Sequence, residues 1–226
     1  MDSRNKKNIP PIPKGWRHIH GNIGNGFTVE RLVDGSLFVW VPTCSIAKNG
    51  TVDRISFNKS FGARKFNETD LSNLKECSDS MSVSAINQQN SVDMYGGFYI
   101  SKYPISLINR IKPVSLPDLK AITNVSWYDA LRISSEFCDY LDHHVSAHLL
   151  LPSEYDSLKQ WFNELGKSQA TSKLVQFNTD LEWTQEVSIS QDFAVVRSTD
   201  NTASRILFKK IRRNSQIGFH VALTIY

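Results

Sequence analysis

The stretch FTVERLVDGSLFVWV, Phe27 to Val41, constrains the fold most. Two runs rich in β-branched and aromatic residues flank Asp34-Gly35, and an Asp-Gly pair can take up the positive φ of a tight turn, so the pattern predicts a β-hairpin. A second segment, GGFYISKYPIS from Gly96 to Ser106, alternates as a strand does, and Pro104 requires that it end there or lie at an edge. Further short β-like runs follow at Phe193 to Arg197, Arg205 to Ile211 and Phe219 to Ile225, separated by polar loops.

Two helices are expected among these strands. In NVSWYDALRISSEFCDYL, Ser126 can cap a helix with Asp129 three residues on, and Trp127, Leu131, Ser134, Cys138 and Leu141 share one face. In HLLLPSEYDSLKQWF a strand runs into a second helix. There Ser153 and Asp156 can form a capping box after Pro152, and Tyr155, Leu158, Trp161, Phe162 and Leu165 make the stripe to be buried. Two helices among short, mostly antiparallel strands and long loops define an α+β fold.

The 226 residues are 40% apolar and include 12 Phe, 7 Tyr and 5 Trp, enough for a sizeable core. Residues 1–14 are charged and proline-punctuated and read as a flexible arm, with one domain over 15–226. Within it, residues from about 42 to 94 are poor in apolar residues and read as a long irregular excursion. A net charge of +4 is too small to imply nucleic acid without local clustering of cations. Cys44, Cys77 and Cys138 suit neither a disulfide framework nor a CxxC zinc site, so reduced thiols are expected, with Cys138 in the core. No run approaches the ~18 apolar residues of a membrane span, and no apolar stretch follows the early basic residues, so a soluble chain without a leader or membrane partner is expected. Asn49-Gly-Thr51 and Asn124-Val-Ser126 match a glycosylation triplet by chance in that setting.

Taken in order, several of these segments resemble the formylglycine-generating enzyme (sulfatase-modifying factor) superfamily, which has a C-type-lectin-like fold. The segments are GGFYISKYPIS, NVSWYDAL, HLLLPSEYDSLKQW, LEWTQEV and IGFHVAL, and they are colinear with that family's motifs across roughly residues 26 to 226. GFTVERLVDGSLFVWVP and FGARKF look more like an uncharacterised bacterial and prophage branch. The resemblance implies the lectin-like fold, while function does not follow from fold; with no leader expected, the setting is cytoplasmic, or a virion one if phage encoded.

The family's oxidase chemistry uses two late cysteines that bind copper(I), a soft metal suited to thiolates. The corresponding stretch here, VVRSTDNTASRILFKKIRRNSQIGFH, contains no cysteine; Arg197 matches the motif's arginine, while Ser198 and Thr199 replace its glycines. A catalytic role is therefore not expected, and no catalytic residue is assigned. A second branch uses a three-histidine iron site. His144 and His148 stand at i, i+4 spacing, but His148 opens a strand, where that spacing does not converge, so both read as turn and strand-start residues with solvated tips. Family members also hold calcium near the segment matched by LEWTQEV. Asn178, Asp180 and Glu182 are the candidates for it, although calcium needs six or more oxygens, and a structural hydrogen-bonding role for Glu182 is the stronger alternative.

What remains is a recognition module without a cofactor, apart from that calcium option. By analogy with ligand-binding relatives, including variable receptor-binding proteins of phages and diversity-generating retroelements, its face is expected around Trp183, Arg197, Asp200, Asn201, Arg205 and Arg212. The partner is a protein or a glycan. Arg205, Lys209, Lys210, Arg212 and Arg213 offer nucleic acid as an alternative, against the plain reading of a solvated charged face. An oxidoreductase with a remodelled metal site is the other alternative. No Gly-rich phosphate loop or G-x-S-x-G elbow is present.

Overall fold

The computed structural model describes residues 10–23, 25–43, 45–46, 52–53, 74–76, 79–137, 144–165, 174–188, 192–198 and 205–226. Within them the chain is mixed α+β, with three helices and mostly antiparallel sheets. The helices are α1 (Asp79–Tyr95), α2 (Trp127–Ser135) and α3 (Pro152–Glu164).

The larger sheet has the order β1-β2-β3-β7-β15-β10. Its strands are β1 (Trp16–His20), β2 (Thr28–Arg31), β3 (Leu37–Pro42), β7 (Gly97–Ser101), β10 (Val145–Leu149) and β15 (Val221–Ile225). The expected hairpin is β2–β3, with Gly35 at φ 77° and Asp34 accepting from the Ser36 amide and from the Arg31 guanidinium. β7 stops before Pro104, and it is a central strand between β3 and β15, not an edge.

The second sheet runs β13 (Arg205–Lys209), β12 (Phe193–Ser198), β11 (Leu181–Ser188), β14 (Ile217–Gly218), with β6 (Leu74–Glu76) on the far end of β11. β11 pairs β14 in parallel and its other neighbours antiparallel. Two small ladders, β4 (Ser45–Ile46) with β5 (Val52–Asp53) and β8 (Ser106–Ile108) with β9 (Lys112–Val114), lie outside these sheets.

The larger sheet is covered on both faces, which explains why β3 reads as an unbroken apolar run. One face contributes Phe38, Trp40, Tyr99, Leu149, Val221 and Leu223 to a core shared with α2 and with Trp183, Ala194 and Val196 of the second sheet. The other contributes Val39, Val41, Phe98, Ile100 and Ala222 to a core with Leu158 and Trp161 of α3. Burying a side chain of this size stabilises by about 1.5–3 kcal/mol. The arm is partly anchored, since Pro10 and Pro13 are buried and Tyr99 Oη donates to Pro11 O at 2.9 Å.

α2 has the predicted capping box, with Asp129 N donating to Ser126 Oγ and Ser126 N to the Asp129 carboxylate. α3 is capped differently from expectation. Ser153 Oγ donates to Gln88 of α1, and it is Glu154 that reaches back to accept from Leu151 N at 2.9 Å.

α1 is the helix that sequence patterning missed, inside what read as an irregular excursion. It buries Ser84, Asn87, Gln88, Ser91 and Val92 and exposes Val83, Ile86 and Met94, the reverse of ordinary amphipathicity. Ser91 explains part of this: its hydroxyl donates to Gly97 O at 2.7 Å and accepts from Ile225 N at 3.3 Å, tying the helix to β7 and β15. Gly96, at φ 79°, ends the helix. The cysteines, and therefore the reduced thiols and a core Cys138, lie outside the described residues, as does Leu141.

Candidate functional site

β11 and β12 position Glu182, Trp183 and Arg197, and their register decides which can meet a ligand. Trp183 pairs with Val196 and points into the core at 0% exposure. Its Nε1 donates to Val125 O at 3.2 Å, while Trp127 Nε1 donates to Thr184 O at 2.8 Å. The two indoles clip the start of α2 to β11, so Trp183 is a core residue and not a ligand contact.

Arg197 is corrected in the same way, at 2% exposure. Its Nη2 donates to Glu186 Oε2 at 3.1 Å and its Nη1 lies 3.5 Å from Asp156 Oδ1, with the guanidinium 5.5 Å from the Tyr155 ring centroid. A buried guanidinium requires such partners. The sequence reading did not see that β12 pairs with β11 so that Arg197 meets the acidic residues of β11 and α3.

Glu182, a calcium candidate, is buried and paired through one of its oxygens. His220 Nδ1 lies 2.5 Å from Glu182 Oε1, and His220 Nε2 lies 3.2 Å from Gln176 O, with both side chains buried. Asn178 and Asp180 lie elsewhere, on a cleft of about 320 Å³ that Leu119, Lys120, Thr123 and Gln216 also line. The three candidates therefore do not converge. Among the described residues no group of three or more His, Cys, Asp or Glu side chains is arranged to hold a metal.

His148 is not solvated. It is buried on β10 with Nε2 at 3.0 and 3.1 Å from the two Glu154 oxygens, so the carboxylate accepts from an Nε2–H tautomer, and Nδ1 has no partner among the described residues. His144 is exposed, with Nδ1 3.1 Å from Tyr226 O, and does not join it. One signal pointed to the two buried His–Glu pairs: a lone polar residue inside an apolar run, as in IGFHVALTI and VSAHLLL. Such a residue needs a partner when buried.

The exposed part of the predicted face is β13 and the turn after it. Among the described residues β13 is the end strand of its sheet, and Ile206, Leu207 and Ile211 are 40%, 45% and 76% exposed. Lys209, Arg212 and Arg213 are exposed beside them, with Arg212 over the Phe208 ring at 5.3 Å and Arg213 paired with Asp129 at 3.0 Å. Lys210 leaves the basic run: it is buried with Nζ 4.5 Å from the Trp127 ring centroid. Its carbonyl accepts from Trp127 N, which pins the turn to α2. Asp200 and Asn201 lie outside the described residues, and of Arg205 the backbone alone is described. No helix among the described residues is long and apolar enough to cross a membrane. Comparison with family models, with curated proteins and with solved structures returns no match.

Proposed function

We propose that the chain is a noncatalytic recognition module on a C-type-lectin-like scaffold of the formylglycine-generating-enzyme type, and that it binds a protein partner through the open end of its second sheet. One observation carries the binding face: an end strand presents Ile206 and Leu207, followed by Ile211, beside the cations Lys209 and Arg212. Apolar side chains rimmed by charge on a fixed backbone are what a protein interface uses. The scaffold assignment is supported by where the family-like segments fall. They lie on β7, the start of α2, β10 into α3, β11, and β14 into β15, and the buried side chains of these elements share two adjoining cores. The noncatalytic reading is supported by the engagement of Glu182, Glu186, Arg197 and His220 with one another in buried pairs, together with a late segment that has no cysteine.

A photo-reactive amino acid placed at position 207 or 211, and at Val33 as an exposed control on the other sheet, tests the reading in cells that express the chain. Discrete, nuclease-resistant protein adducts at 207 and 211 but not at 33 are expected. Nuclease-sensitive adducts would replace the reading with nucleic-acid binding, and equal labelling at all three positions would remove the face altogether.

A further inference from the structure

Building on the binding face just proposed, we infer that its occupant is an acidic, extended peptide segment of a partner protein that adds to β13 as a further strand. The first argument is geometric. Successive residues of a strand point to opposite faces, so Ile206 and Leu207 cannot share one. Yet both are exposed, while their register partners on β12, Val196 and Val195, are completely buried. The exposure therefore lies along the outer flank of β13 and not on one face of the sheet. A strand laid alongside would cover both side chains at once and would pair with the outward N–H and C=O groups of an end strand. A surface docked onto one face would cover only one of them.

Charge selects which strand. Residues 205, 207 and 209 share one side of β13 and read Arg, Leu, Lys; the complement is a segment with acidic residues at both ends and apolar residues between. Ile211 and Arg212 extend the same pattern beyond the strand. A second copy is disfavoured by the same register: symmetric antiparallel pairing about Leu207 sets Arg205 opposite Lys209 twice, cation against cation. Cations that flank an end strand protect it from self-association. An acidic strand is what such an edge still admits. Nucleic acid is a poorer occupant, because Ile206, Leu207 and Ile211 interrupt the cations, and the ring of Phe208 within the strand is already packed edge-on against Trp183 and covered by Arg212.

The test uses the purified full chain and a blocked synthetic peptide with the core Glu-Val-Ile-Val-Glu, followed by fluorescence anisotropy and by hydrogen exchange of the β13 amides. Expected results are saturable binding, slowed exchange along Arg205–Lys209, and a loss of about tenfold or more in affinity when Lys replaces both Glu residues of the peptide. Proline at the central position removes a ladder donor and should weaken binding by a similar factor. Leu207→Glu in the protein should do the same with thermal unfolding unchanged, because Leu207 is already half exposed.

Equal affinity for the Lys peptide would overturn the charge argument, and indifference to the proline would overturn strand addition. Concentration-dependent dimers abolished by Leu207→Glu would assign the edge to a second copy, and duplex DNA competing for the face would assign it to nucleic acid; either outcome overturns the inference. Absence of peptide binding alongside protein adducts at position 207 would overturn strand addition while leaving the recognition face standing. Absence of both would remove the face itself.

Discussion

The buried pair of Glu182 and His220 offers the sharpest quantitative test of how the second sheet is held to the first. Glu182 sits on β11 and His220 just ahead of β15, with Oε1 and Nδ1 2.5 Å apart and both side chains withdrawn from water. Glu182 Oε2 has no partner among the described residues, so His220 supplies the described hydrogen bond that this carboxylate accepts. His220→Leu removes a charge-assisted bond worth about 1.5–3 kcal/mol and strands a buried carboxylate, for a total of about 3–5 kcal/mol.

The reciprocal change should cost less. In Glu182→Leu the imidazole can keep its Nε2–H on Gln176 O, leaving only Nδ1 unpaired, for about 2–3 kcal/mol. The double variant replaces the pair with apolar groups and should lie within about 2 kcal/mol of the parent, because the gain from a buried polar pair is roughly offset by its own desolvation. Urea unfolding of all four proteins reads this directly. With a slope near 2–3 kcal/mol/M for a chain of this size, His220→Leu should lower the midpoint by more than about 1 M, and the cycle should give a coupling of at least about 2 kcal/mol. Additive single costs, or a cost below about 1 kcal/mol for His220→Leu, would refute the claim that the pair is coupled and dry.

Two further perturbations test the hairpin and the helix cap. Burial pushes the Asp34 carboxyl up, but the Arg31 guanidinium and the Ser36 amide outweigh it and hold it below the ordinary carboxylate range. A lowered folded value means that the contribution is fully present above about pH 4, the unfolded value, and is lost as pH falls through the folded one. Asp34→Asn should therefore cost about 2–3 kcal/mol at neutral pH, since it leaves the buried Arg31 without its carboxylate, and the difference should shrink in acid melts below about pH 4. Ser126→Ala removes the N-cap of α2 and should cost about 1 kcal/mol by urea unfolding, with α2 amides exchanging faster than those of α3. An unchanged midpoint would assign the cap to Asp129 alone.

The elements that could be read from the sequence are those whose own residues determine them. The Asp34-Gly35 hairpin, the Ser126–Asp129 box and the apolar stripe of α3 at Tyr155, Leu158 and Trp161 are local patterns, and each is found where local chemistry puts it. The late β-like runs were found for the same reason, as β12, β13 and β15. The candidate site was read less well because its residues acquire their roles from partners distant in sequence. Trp183 and Arg197 lie on polar, motif-like segments, but antiparallel pairing of β11 with β12 and the arrival of α2 and α3 enclose them. Lys210 looked like part of a cationic run until the turn at the end of β13 folded it over Trp127. Strand alternation predicts that some members of any charged run face inward; without knowing which strands neighbour it, the phase cannot be chosen.

α1 shows the same limit from the opposite direction. Apolar periodicity presumes that a helix buries its apolar residues, and this one buries hydroxyl and amide side chains, with Ser91 bonded to Gly97 O and Ile225 N of the sheet and Gln88 accepting from Ser153 of α3. Each such bond contributes only about 0.5–1.5 kcal/mol net, but a buried donor or acceptor left without one costs about 1–3 kcal/mol. Ser91, with both of its bonds made, is the residue of α1 that such matching places, whereas Gln88 is matched at its oxygen and its Nε2 has no partner among the described residues. Both α1 and the β13 edge carry apolar residues outside, but those of β13 lie on an end strand and are flanked by cations. On the proposed reading, an apolar strand edge that charge guards against its own copies admits a partner of the opposite sign.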